Sequence, residues 1–227
     1  MAPVVLRQAA DTVYQSWTYE AGQLPERVRS RLPALSAYLD TVHARVGALD
    51  ARAMLRRQIA FYAPRPDSGE AANGRMVLEG SAGTLRPASC LEALLVEAQA
   101  ARFPMASHPT EFHAFVLERA DAGRRLVRVY FAGSSAPWPP RANLLLERVD
   151  ADRREGWRAV AHLHNHPFEF ASEGDIAGAN APSMTDVQFW RFLRDEHGVE
   201  SARVTNGFAT FDAPAAVFDR LRARGDP

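Results

Sequence analysis

The chain reads as a mixed α/β domain, one curved mixed β-sheet flanked by helices, with a helical extension at its N-terminus. Three observations predict this. Apolar, β-branched and aromatic runs with alternating character recur at residues 111–119, 125–132 and 157–166. Segments with helical spacing alternate with them at 89–101 and 184–197. A separate set of helical repeats occupies 24–62, ahead of a proline- and glycine-containing stretch at 63–73.

In chain order, Leu35, Tyr38, Leu39, Val42, Val46 and Leu49 follow the helical period, and Met54, Leu55, Ile59 and Tyr62 continue it after a break at 47–50. We therefore expect residues 1–62 to form a helical extension, 63–73 a linker and 74–227 the main domain. Within that domain, strands are expected at 74–80, 111–119, 125–132, 144–149, 157–166 and 202–211, the last turning near Asn206-Gly207. Helices are expected at 89–101, 184–197 and 214–224. Ser89 is the natural cap of the first, whose residues Leu91, Leu94, Leu95 and Ala98 share one face. The apolar stripe of the extension must pack either against the main domain or in a homodimer contact.

The 227 residues, nearly half hydrophobic, suffice for a full core. Arginine supplies all 27 basic side chains, balanced by 27 acids. The zero net charge argues against a nucleic-acid partner, so Arg27, Arg29, Arg31, Arg52, Arg56 and Arg57 are expected on a solvated helix face. No apolar run is long enough to span a membrane. One cysteine, Cys90, excludes an internal disulfide and a cysteine-built zinc site, which accords with a cytoplasmic location.

The most informative segment is His164-Asn165-His166-Pro167, followed by Pro182-Ser183-Met184-Thr185-Asp186. Strand side chains alternate faces, so His164 and His166 point the same way, roughly 6–7 Å apart along the chain. Such a pair can chelate zinc, which takes imidazole nitrogen at about 2.0–2.1 Å and carboxylate oxygen at about 2.0–2.2 Å. Pro167 ends the strand and leaves the pair at its exposed end. His162 shares the face but stands about 13 Å from His166 in a regular strand, so it is expected to pack or to support the site from behind. Asp186 opens a helix carrying Val187, Trp190 and Leu193. Ser183-x-x-Asp186 is also an ordinary capping box, and Ser172-x-x-Asp175 repeats the pattern without an amphipathic run after it. Beside these, Trp138 sits in a rigid turn of prolines, placed either against its own domain or open to grip an extended peptide.

His-x-His-Pro, a later Ser-x-x-Asp at a helix start and an earlier Pro-x-Glu, here Pro109-Thr110-Glu111, together resemble the JAMM (JAB1/MPN+) metalloprotease family. The resemblance covers about residue 74 to the C-terminus. It implies a JAB1/MPN fold of the cytidine-deaminase-like class and a zinc ion held by His164, His166 and Asp186. It also implies Glu111 as general base and Ser183 as donor to the carbonyl oxygen. The activity implied is hydrolysis of a peptide or isopeptide bond in a protein substrate, with ubiquitin-like partners the family's characteristic ones. Asn165 stands where the family more often has serine or threonine; pointing away from the metal-facing side, it is expected to matter little. The connection 168–182 is longer than the family's and is expected to form a polar excursion beside the site. Amidohydrolase barrels also use His-x-His, but far earlier in a longer chain, and a cupin-like site disagrees with the helices. A noncatalytic MPN-type scaffold is the remaining alternative, and such modules generally lack the metal-binding residues.

Overall fold

A computed structural model describes residues 3–24, 32–47, 49–65, 68–169 and 178–226. Arg27, Arg29, Arg31 and the Ser172-x-x-Asp175 pattern lie outside the described residues, as does most of the long connection after Phe168. In chain order the strands are β1 (Val4–Gln8), β2 (Thr12–Glu20), β3 (Thr84–Pro87), β4 (Phe112–Asp121), β5 (Arg124–Ser134), β6 (Arg158–Asn165), β7 (Ser201–Thr205) and β8 (Ala209–Pro214). The helices are α1 (Pro33–Val46), α2 (Ala51–Tyr62), α3 (Gly69–Glu79), α4 (Cys90–Ala100), α5 (Asn143–Arg154) and α6 (Met184–His197).

Among the described residues, eight strands join one mixed sheet in the order β1-β2-β5-β4-β6-β7-β8-β3. Every pairing is antiparallel except β6 with β7, which is parallel and therefore needs the crossover that contains α6. Alternation along the strands feeds two cores. Phe112, Ala114, Val116, Val129 and Phe131 face one side, covered by α1, α2, α3 and α4. Phe115, Leu117, Tyr130 and Ala132 face the other, covered by Leu145 and Val149 of α5.

A bulge in β6 sets the face of the histidines. Val116 pairs with Ala161 but the next residue, Leu117, pairs with Ala159, so the ladder skips Val160. That one-residue shift lets Ala159 share a face with His162 and His164, which pair with Phe115 and His113. An unbroken strand would send them to opposite sides.

Several elements correct the sequence reading. Residues 12–20, expected within the helical extension, form β2 and pair with β5 along their whole length. Residues 69–79 are α3, not linker and strand: the Ser68 hydroxyl accepts from the Ala71 N–H at 3.1 Å, and Gly80 closes the helix in the left-handed region. Residues 143–154 are α5, with Leu145, Val149 and Asp152 buried one turn apart; three successive leucines concealed that period. At the C-terminus only a short 3-10 helix, Ala215–Arg220, replaces the expected helix. The expected turn at Asn206-Gly207 is present, with Gly207 at φ +95°.

The N-terminal helices pack into the main domain, α1 against α4 and the segment after β6. The Leu35 N–H donates to Glu97 of α4 at 2.7 Å, and the Phe168 N–H donates to the Tyr38 hydroxyl at 3.3 Å. Asn73 of α3 brackets Arg222 and reaches the Pro182 carbonyl at 3.3 Å, fixing the approach to α6.

Candidate metal centre

Two elements deliver the polar residues to one place. His164 lies one residue before the end of β6 and His166 just past it, the His166 N–H donating to the Thr205 carbonyl of β7 at 2.9 Å. Ser183 and Asp186 begin the crossover helix α6, in a complete capping box. The Ser183 hydroxyl accepts from the Asp186 N–H at 3.1 Å, and the Asp186 carboxylate accepts from the Ser183 N–H at 2.8 Å. A short acid in this box is aimed by the helix start itself, here back over the end of β6.

The Nε2 atoms of the two rings stand 3.2 Å apart. Asp186 lies 3.3 Å from each, through Oδ1 to His164 and through Oδ2 to His166. For zinc with bonds of about 2.0–2.1 Å, the tetrahedral angle separates neighbouring ligand atoms by about 3.3–3.4 Å. The Nε2–Nε2 separation is close to such an edge, and each nitrogen has an Asp186 oxygen at the same distance, a different oxygen for each ring. The three residues are the set among the described residues whose ligand atoms gather closely enough to hold an ion.

Supporting bonds prepare these ligands. His166 donates Nδ1–H to the Ala179 carbonyl at 2.9 Å, which leaves Nε2 as the ring's free lone pair when the imidazole is neutral. Ala179 is held in turn by its neighbours. Asn206 donates to Gly178 O at 2.8 Å and to Asn180 Oδ1 at 2.9 Å, and Asn180 donates to the Val204 and Ala209 carbonyls. The Ser183 hydroxyl donates to Asp186 Oδ2 at 2.8 Å. With Ser183 bonding Oδ2 twice, Oδ1 is the freer oxygen. The same bond means that the Ser183 hydroxyl hydrogen rests on Asp186, so serving a substrate carbonyl requires it to turn.

Charge follows from this packing. Burial alone would push Asp186 up and His166 down, but the two rings hold the Asp186 carboxyl well below the usual range. Asp186 likewise raises His166 to about 9. Glu111 is raised to about 7, chiefly by burial, with His166 and His164 opposing. His113 pairs with His164 in the β4–β6 ladder, so the register extended two residues carries Glu111 opposite His166.

His113 is a residue the sequence reading passed over. Its Nδ1 shares a hydrogen with His162 Nε2 at 2.9 Å, and burial pushes His113 down to about 3 and His162 well below its ordinary value. The pair is therefore uncharged at neutral pH and adds no positive charge behind the ligands. The expectation that His162 packs rather than ligates agrees with this position. Two residues from Glu111 on the same face, His113 was detectable by alternation, but its partner depends on register.

The centre opens into a cleft of about 960 Å³. Glu111, His164, His166, Ser183 and Asp186 line its floor, and Trp138 and Phe192 line its wall. Trp138 is 68% exposed, so the indole stands open and not against its own domain. No family model, curated protein or solved structure matches this chain.

Proposed function

We propose that the chain is a zinc-dependent hydrolase of peptide or isopeptide bonds, of the JAMM type, acting on a protein or peptide substrate. The supporting observation is the gathering of the His164, His166 and Asp186 ligand atoms, the two Nε2 atoms 3.2 Å apart and each 3.3 Å from an Asp186 oxygen, with Glu111 beside them where the neighbouring strand begins. The residues fit the metal in type as well: two imidazoles and one carboxylate leave a fourth position for water. Bound there, zinc supplies a water with a pKa near 7 in place of about 15.7 and polarises the substrate carbonyl.

The chain's own residues account for the rest. Glu111, poised near 7, accepts the proton of the attacking water and returns it to the departing amine. Ser183 orients Asp186 and, once its hydroxyl turns, donates to the oxygen that gains charge. Trp138 and Phe192 form the wall along which an extended peptide lies. A JAB1/MPN arrangement of the sheet and the use of a ubiquitin-like C-terminus belong to the same proposal. The scaffold reading gains nothing from this site, because all the ligand types are present.

The test is zinc analysis of the purified chain, joined to cleavage of a proteome-derived peptide library read by mass spectrometry. We expect one zinc per chain and new termini that form at least ~100-fold more slowly with Glu111→Gln. A chain that takes up no zinc and cuts no peptide would sink the proposal. The fastest-cut peptide, resynthesised, serves as the probe for kinetics.

A further inference from the structure

The residue between the two candidate ligands has a role of its own. Asn165 is 1% exposed, and its carboxamide spans from β6 to the start of β4. Oδ1 accepts the Phe112 N–H at 2.8 Å, and Nδ2 donates to the Thr110 carbonyl at 3.0 Å. Those two backbone groups flank Glu111. The β4–β6 ladder runs from Glu118 with Arg158 to His113 with His164. Beyond His164, the Asn165 side chain bonds β4 in the manner of one more peptide group. Gln99 of α4 holds the same tripeptide from the other side, Nε2 donating to Thr110 Oγ1 at 2.8 Å and to the Ser134 carbonyl at 2.9 Å. Gln99 and Thr110 are fully buried, so water does not compete for these bonds.

We propose that Asn165 is a positioning residue that holds the Glu111 backbone at a fixed offset from His164 and His166, a claim that rests on the hydrolase reading above. Strand ends fray where ladder bonds stop, and Glu111 lies just outside β4. Its carboxylate must meet a water held by groups on β6 and α6, so a lift of about 1 Å between strands costs on the order of 100-fold in rate. A carboxamide offers a donor and an acceptor in one rigid plane, as a peptide group does. A serine or threonine hydroxyl is too short to bridge both groups. The middle residue of His-x-His thus ties the base to the ligands, contrary to the expectation that it matters little.

The experiment compares wild type, Asn165→Ala, Asn165→Thr, Glu111→Gln and the Asn165→Ala/Glu111→Gln double variant. It reads zinc per chain, kcat and KM on the resynthesised peptide, and amide hydrogen exchange at Phe112. We expect both Asn165 variants to keep their zinc, lose about 100-fold in kcat with KM little changed, and exchange the Phe112 amide faster. Adding Asn165→Ala to Glu111→Gln should cost nothing further, since the clamp acts only through the base. Equal losses in the two backgrounds, loss of zinc, or unchanged exchange at Phe112 would overturn the proposal. Should the alanine variant fail to fold, the threonine variant, which favours the strand, carries the comparison. A wild type without zinc or cleavage sinks the hydrolase reading alone, and Phe112 exchange still decides whether the clamp exists.

Discussion

The Nε2 atoms of His164 and His166 face each other at 3.2 Å, with Asp186 3.3 Å from both. Two imidazole lone pairs this close repel unless a proton or a cation lies between them. We expect His164→Ala, His166→Ala and Asp186→Ala each to weaken zinc binding by more than the 10–100-fold typical of outer partners. Competition against a chromogenic chelator measures this, and binding that survives all three changes would place the metal elsewhere.

Zinc must displace the His166 proton, whose pKa is raised to about 9 by Asp186 against the lowering effect of burial. Zinc affinity should therefore rise about tenfold per pH unit between pH 6 and 8. The metal-free protein shows the opposite trend. A raised imidazolium pKa stabilises fully below the unfolded value of 6.5, and that contribution is lost as pH rises through about 9. Chelator competition at pH 6, 7 and 8 checks the first statement; a flat profile would contradict it.

Glu111→Gln should retain zinc and lower turnover by about 10²–10⁴. Burial raises the wild-type acid to about 7, so the folded state prefers it protonated. Wild-type stability is consequently eroded as pH rises from the unfolded value of 4.5, and the loss is complete above about 7. In metal-free protein the glutamine variant should melt higher at pH 8, with the gap closing near pH 4.5. Melting curves across that range decide it.

Ser183 holds Asp186 in two ways, accepting from its N–H and donating to its carboxylate. Ser183→Ala should cost about 1 kcal/mol of stability through the lost cap, and also about 10–100-fold in zinc affinity. Ser183→Thr should recover most of both. Urea unfolding and zinc titration separate the two effects, and a variant that loses stability alone would make Ser183 a cap only.

The tight turn between β4 and β5 places Ala122 at φ +46° and Gly123 at φ +81°. Primed hairpin turns ask for this, and asparagine adopts it more readily than alanine. Ala122→Asn, exposed and far from the cleft, should raise stability by about 0.5–1 kcal/mol in urea unfolding.

What the sequence disclosed depended on the range of the signal. β4, β5, β6, α4 and α6 were legible because period and capping are local, and the Ser183 box was readable from four residues. α5 was not, since three consecutive leucines fit strand and helix alike. Only the apolar surface of Phe115 and Tyr130 beneath it favours the helix. β2 was missed because its partner β5 lies more than a hundred residues away. At the centre, ligand types were visible from spacing, but the roles of His113 and Asn165 come from strand register, which a bulge at Val160 makes unreadable without coordinates.

The pairing of β2 with β5 bears on how the molecule can be divided. Nine residues of β2 cap the long edge of β5, and the Trp17 ring meets Phe131 edge-on at 5.9 Å. A polypeptide trimmed to start after Tyr62 would bare a row of idle amides and carbonyls beside greasy side chains, a ready template for stacking with its copies. Residues 3–20 act as a selvedge that keeps the fabric from fraying into aggregates, whatever the chemistry at the middle of the sheet.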